Sequence, residues 1–172
     1  MKEQLDFLYA YNRWASKLMW TAIHQLTEEQ WQRPQEYSQG SVHDQVVHMM
    51  YAPTRWLYSL QGQAKMPALE PKHFPHWQEA EFRWEGLWND LYAFVFAMQE
   101  EELLRVIPWG PSSRGFQGHT PVWQILTHLA THTLDHRAQI FMLMNTQFGV
   151  ATPEQDIFFY FNELGESARL KE

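Results

Sequence analysis

Cysteine is absent from this chain, which excludes disulfides, thiolate metal sites and a cysteine nucleophile together. Also absent is any run of five Lys or Arg residues, and the formal charge at pH 7 is −7. A nucleic-acid binder normally presents a basic stripe that neutralises phosphates, so no nucleic acid is expected as a partner. No apolar stretch approaches the roughly 20 residues that cross a bilayer, so no membrane partner is expected either. The opening "MKEQLDFLYA" carries Glu3 and Asp6 without an uninterrupted apolar run. That argues against a secretory signal and makes the cytoplasm the expected location. Several catalytic signatures are missing too. There is no H-E-x-x-H and no G-x-S-x-G, and Gly110, Gly115 and Gly118 fit neither phosphate-loop pattern. The one E-x-x-H, Glu70 to His73, straddles Pro71, which disfavours a carboxylate di-iron site.

What is present is bulk apolar surface. Nine Trp, eleven Phe and seven Tyr in 172 residues suit one domain, 1–172, with a sizeable core. Residues 3–24 place Leu5, Leu8, Tyr11, Ala15, Leu18, Met19 and Ala22 at amphipathic-helix spacing. "TEEQ" at 27–30 is a capping-box pattern for one short turn. Ser41 and Asp44 open a second helix, predicted to run from about Val42 to Gln61, with Pro53 expected to bend it. A third runs from Trp77 to Gln99, burying Phe82, Trp84, Leu87, Trp88, Leu91, Phe94, Val95 and Met98. Residues 103–121 break the periodicity with prolines and glycines, as a short hairpin or an ordered loop. Thr120-Pro121 then opens a fourth helix to about Asn145. Thr152-Pro153 repeats the device, with Gln155 completing a capping box, for a short fifth helix that Gly165 ends. The expected fold is all-α: a four-helix bundle with long inter-helix connections and a short fifth C-terminal helix.

The fourth helix carries His128, His132 and His136 at successive intervals of four in "THLATHTLDHRAQI". His136 lies about 40° around the helix from His132 and about 6 Å along it. Ile125, Leu129 and Leu143 share that sector, so the pair faces the core while Arg137 is turned sideways. One inward histidine is ordinarily a hydrogen-bonded core residue. Two at this spacing both need polar partners in an apolar setting, and a metal satisfies one nitrogen of each. Three such histidines span about 12 Å, too far to share one ion, which leaves His128 as support or packing. His48, in the middle of the second helix, is the best third ligand. His43 reads as a solvated first-turn residue, and His24, His73, His76 and His119 as surface residues. Asp44, Tyr51 and Arg55 share His48's side of its helix and could line a pocket or be surface polar groups.

Several segments in order resemble the DinB/YfiT-like family of metalloenzymes. "YNRWASKLM" at 11–19 is similar to that family's first-helix signature. "SVHDQVVHMMYAPTRW" resembles its second helix, with His48 eight residues before Trp56. "THLATHTLDHRAQI" resembles its H-x-x-x-H-R-x-Q-I motif, and "DIFFYFNEL" its closing helix. The resemblance implies a four-helix bundle, often a homodimer, holding a divalent metal on three histidines. By motif these are His48, His132 and His136. Members often place an acidic residue five positions after the second-helix histidine, where this chain has Pro53.

Three imidazoles leave coordination positions open, as catalytic sites do, and suit zinc, nickel or iron. Families similar to this one include transferases and isomerases that use small thiols such as bacillithiol, mycothiol or glutathione. With no cysteine of its own, the chain would need an external thiol. The expected function is therefore a metal-dependent enzyme, a thiol S-transferase or a hydrolase, acting on a small molecule. The competing reading is a non-catalytic helical dimer that binds metal or a small molecule. No general base is assigned.

Overall fold

Ser41 shows how locally this sequence sets its elements. Its side chain accepts the Asp44 amide at 3.0 Å while the Asp44 carboxylate accepts the Ser41 amide at 3.1 Å, the reciprocal pair that starts a helix. Thr27 and Gln30 do the same one element earlier, at 3.2 and 2.9 Å. In the computed structural model, which describes residues 1–63, 65–110 and 115–169 (the last four by backbone alone), the chain is mostly helical. Its helices are α1 (Lys2–Ile23), α2 (Glu28–Gln32), α3 (Val42–Leu60), α4 (Trp77–Ala97), α5 (Glu100–Leu103), α6 (Val122–Phe148) and α7 (Ile157–Arg169). A 3₁₀ turn spans Pro71–His73, and two strands, β1 (Val106–Trp109) and β2 (Gly118–Pro121), pair antiparallel from Val106↔Pro121 to Trp109↔Gly118. The all-α expectation thus holds broadly, with a small sheet added. Residues 111–114 of the expected hairpin lie outside the described residues.

The four long helices are neighbours in the cyclic order α1–α6–α3–α4 around one apolar cluster. Tyr9, Met19, Ile23, Met49, Met50, Leu91, Leu126 and Leu129 are fully buried in it, each contributing on the order of 1.5–3 kcal/mol. α3 and α6 run in opposite directions. Gln45, early in α3, meets His136 in the middle of α6. At the other end Arg105 ties the two together: its side chain donates to the Leu60 carbonyl at 3.2 Å, and its own carbonyl accepts the Val122 amide at 2.9 Å. α3 continues through Pro53, which is itself buried.

Several boundaries differ from the sequence reading, each because another interaction wins. Thr120 does not cap α6; it lies in β2, where its hydroxyl accepts the Trp109 indole N–H at 2.8 Å, and Pro121 becomes the residue before the helix. α6 continues past Asn145 to Phe148 and stops at Gly149, whose φ of 65° turns the chain so that the Val150 amide reaches back to the Met144 carbonyl at 3.1 Å. α4 ends at Ala97, and Phe82 projects outward, 82 % exposed. α7 begins at Ile157, with the Asp156 carboxylate accepting the Phe158 amide at 2.8 Å, and it runs through Gly165 rather than ending there.

Gln155, expected in a capping box with Thr152, is used elsewhere. Its side-chain oxygen accepts Nε–H of Arg137 at 2.7 Å, and its carbonyl accepts the Tyr11 hydroxyl at 2.6 Å. Arg137 is fully buried, its second donor going to Asn12 at 3.1 Å. Sideways, for this residue, means into the α1 interface. Removing one acceptor from a buried guanidinium leaves a desolvated donor. Gln155→Ala should lower the unfolding free energy by about 2 kcal/mol in urea titrations, whereas Thr152→Ala should cost less than about 0.5 kcal/mol. The reverse order would restore the capping role to Thr152.

Candidate metal centre

Because α3 and α6 are antiparallel and in contact, a side chain from the first half of α3 can face two from the middle of α6. That is where His48, His132 and His136 meet. Each offers a ring nitrogen such that all three lie within 4.8 Å of one another. The ring centroids are 4.5 Å apart for His132–His136, 4.6 Å for His48–His136 and 5.2 Å for His48–His132. His136 is buried and the other two are partly exposed, so the cluster opens to solvent on one side. Among the described residues this is the one such group of metal-ligating side chains.

The electrostatics favour neutral rings. Burial pushes the His132 imidazole down to about 3, helped by the like charges that His136, His48 and His128 would carry. His48 is lowered as well, by burial first and by His136 second. Neutral imidazole is the form that ligates a metal. Nδ1 of His132 is buried without a hydrogen-bond partner. An apolar wall would not leave such an atom unpaired without cost, and a cation or a water would satisfy it.

His136 is oriented by two glutamines that sequence reasoning passed over. Its Nδ1 lies 2.9 Å from Oε1 of Gln139 and 3.2 Å from Oε1 of Gln45. Gln139 is itself held: its amide nitrogen donates to Asp135 at 3.2 Å, and Ser38 donates to its oxygen. A carboxylate can only accept, so Asp135 selects the amide nitrogen and turns the oxygen toward His136. Nδ1 of His136 must then carry the proton, leaving Nε2 as the ring's acceptor. The signal was available in the spacing, since Gln139 follows His136 by three and Gln45 precedes His48 by three.

Other candidates fall away from the cluster. His128 is exposed, its ring 5.6 Å from that of His132. His43 is not solvated; it is buried with its ring 5.1 Å from Trp31, and burial lowers its pKa. His24, His73, His76 and His119 are exposed as expected. Asp44 is occupied by the Ser41 cap, with the hydroxyl donating to it at 2.7 Å. Tyr51 and Arg55 line a separate cleft with Tyr58 and Ser59.

The family model described as DinB family matches residues 1–166, nearly the full chain. No curated protein matches the chain.

A ring held neutral in the fold makes stability depend on pH. Below about 6.5 the unfolded chain binds a proton at position 132 that the metal-free fold refuses until about pH 3. The native state is therefore penalised progressively as pH falls from 6.5 toward 3, and not at all above that window. Chelated wild-type protein should lose stability between pH 7 and pH 5 more steeply than His132→Leu does, measured as urea midpoints. Parallel slopes would show that position 132 titrates normally.

Proposed function

The chain belongs to the DinB family, and from that premise we propose that it is a metal-dependent enzyme whose divalent cation is held by His48, His132 and His136. The observation that carries this reading is the convergence of three imidazoles from two helices to within 4.8 Å. Their donor chemistry fits the ion: three imidazoles, two of them kept neutral by burial and His132 carrying a buried nitrogen with no other partner, suit zinc, nickel or iron and leave positions for a substrate. The framework we propose is a single four-helix-bundle domain made of α1, α3, α4 and α6. In keeping with the family resemblance, we further propose a cytoplasmic homodimer.

The reaction we propose is thiol S-transfer to, or hydrolysis of, a small molecule. A bound divalent cation would supply Lewis acidity, lowering the pKa of a thiol or water brought to it. The protein's own groups have narrower tasks. Burial keeps His48 and His132 uncharged. Gln45 and Gln139 fix the tautomer and tilt of His136. The thiol must come from outside, since the chain has no cysteine. No helix of the described residues is long and apolar enough to cross a membrane.

Chelation should lower the melting temperature of wild-type protein and leave His132→Ala unchanged, because a ligand that binds only the native state stabilises it by mass action. Gln139→Leu should weaken metal affinity by about 10- to 100-fold in competition with a chromophoric chelator, through loss of the group that orients His136. Activity is read by supplying electrophiles with and without an added small thiol. Thiol-dependent consumption identifies the transferase and thiol-independent consumption the hydrolase. In His132→Ala either rate should fall by about 100-fold or more. Equal rates in the two proteins would defeat the catalytic reading and leave a metal-binding module.

A further inference from the structure

The α1–α4 face lies across the helix cycle from the histidines, and it carries two matched stripes. On α1, Arg13, Ser16, Lys17 and Trp20 fall at i, i+3, i+4 and i+7, one side of a helix. On α4, Trp84, Trp88 and Tyr92 fall at i, i+4 and i+8. Between them lies a cleft of about 170 Å³, below the roughly 300 Å³ where drug-sized pockets begin. Its wall is aromatic, with Trp84–Trp88 centroids 5.4 Å apart, Trp88–Tyr92 5.6 Å apart and Trp20 edge-on to Trp84 at 6.0 Å.

Three residues that line the cleft carry buried polar atoms without a partner. Oγ of Ser16, Nε1 of Trp20 and Nε1 of Trp88 are buried with no hydrogen-bond partner. Their residues are 5 %, 5 % and 2 % exposed. Among the described residues, three of the nine buried side-chain atoms lacking a partner thus belong to residues that line this one cleft. An indole N–H donates and never accepts, so what completes it must be an acceptor. At the mouth stand the exposed Arg13, whose guanidinium lies 5.4 Å over the Tyr92 ring, and the exposed Lys17, which forms no ion pair among the described residues. Glu85 lines the cleft as well, leaving two cations against one carboxylate.

We propose that the α1–α4 cleft is a binding site for a small aromatic carboxylate, separate from the histidine cluster. Its ring would lie against the Trp84–Trp88–Tyr92 wall, and its carboxylate would accept from the indoles and Ser16 beneath Arg13 and Lys17. Acceptor-only chemistry matches the donor-only indoles, the excess of cations matches a single negative charge, and the volume admits one ring. Neither the histidines nor a metal enters this argument.

The test is titration of the full-length protein with sodium benzoate, followed by ¹⁵N correlation spectra of the indole N–H groups, assigned with single Trp→Phe changes. The Trp20 and Trp88 resonances should move and saturate. Trp31 serves as an internal control, because its Nε1 is equally buried and unpartnered but its ring lies against His43; it should not move. Replacing Arg13 and Lys17 together by Gln, both exposed, should weaken binding by about tenfold, the equivalent of one lost charge-assisted hydrogen bond. The proposal is overturned if neither indole responds, if the double variant binds equally well, or if neutral toluene does the same. Inorganic phosphate acting where benzoate does not would overturn the aromatic part. Excess chelator should change none of this, so failure here and failure of the metal reading are separately visible.

Discussion

Everything in the proposed centre depends on the antiparallel contact between α3 and α6. A single helix cannot bring three histidines spaced by four residues to one point, since they climb about 6 Å per interval. A second helix must deliver the third ring from across the interface. The register is held at both ends: Gln45 against His136 on one side, and Arg105 bridging the Leu60 carbonyl and the Val122 amide on the other. Those bonds are far apart in sequence and close in space, so they set which α3 residue faces the His132–His136 pair. That residue is His48.

The same α6 helix solves two opposite electrostatic problems on adjacent residues. His136 faces α3, where the oxygens of Gln45 from that helix and Gln139 from its own accept its proton and no carboxylate is hydrogen-bonded to it among the described residues. Arg137 faces α1, fully buried, where Asn12 and Gln155 accept its protons. Both are met by neutral amides. On the histidine side this choice has a structural consequence: neutral amide oxygens fix the tilt and tautomer of the His136 ring. Burial keeps the His48 and His132 rings neutral, the form that ligates a metal.

Much of this was legible in the sequence because it is local or periodic. The capping boxes at Thr27 and Ser41 formed as read, since each needs only residues three apart. His132 and His136 share a helix face by arithmetic. The meeting of His48 with them was read from position and motif, and the structure brings the three together. Misreadings arose where a distant partner outbid a local one. Thr120 carries a good cap signature, but β1 offers it an indole N–H. Gln155 sits where a capping box wants it, yet a buried arginine eighteen residues earlier takes its side chain. His43 looked solvated at a helix start, and the packing of α2 covers it with Trp31. Propensity carries no information about such partners.

The account is tested most directly by anomalous diffraction from crystals of metal-loaded protein, collected on both sides of the absorption edge of the added ion. It predicts one strong peak per chain, bonded to nitrogens of His48, His132 and His136, with at least one further position open to solvent. A fully loaded crystal whose peak lies elsewhere, or whose three rings keep their separation with no density between them, would contradict it.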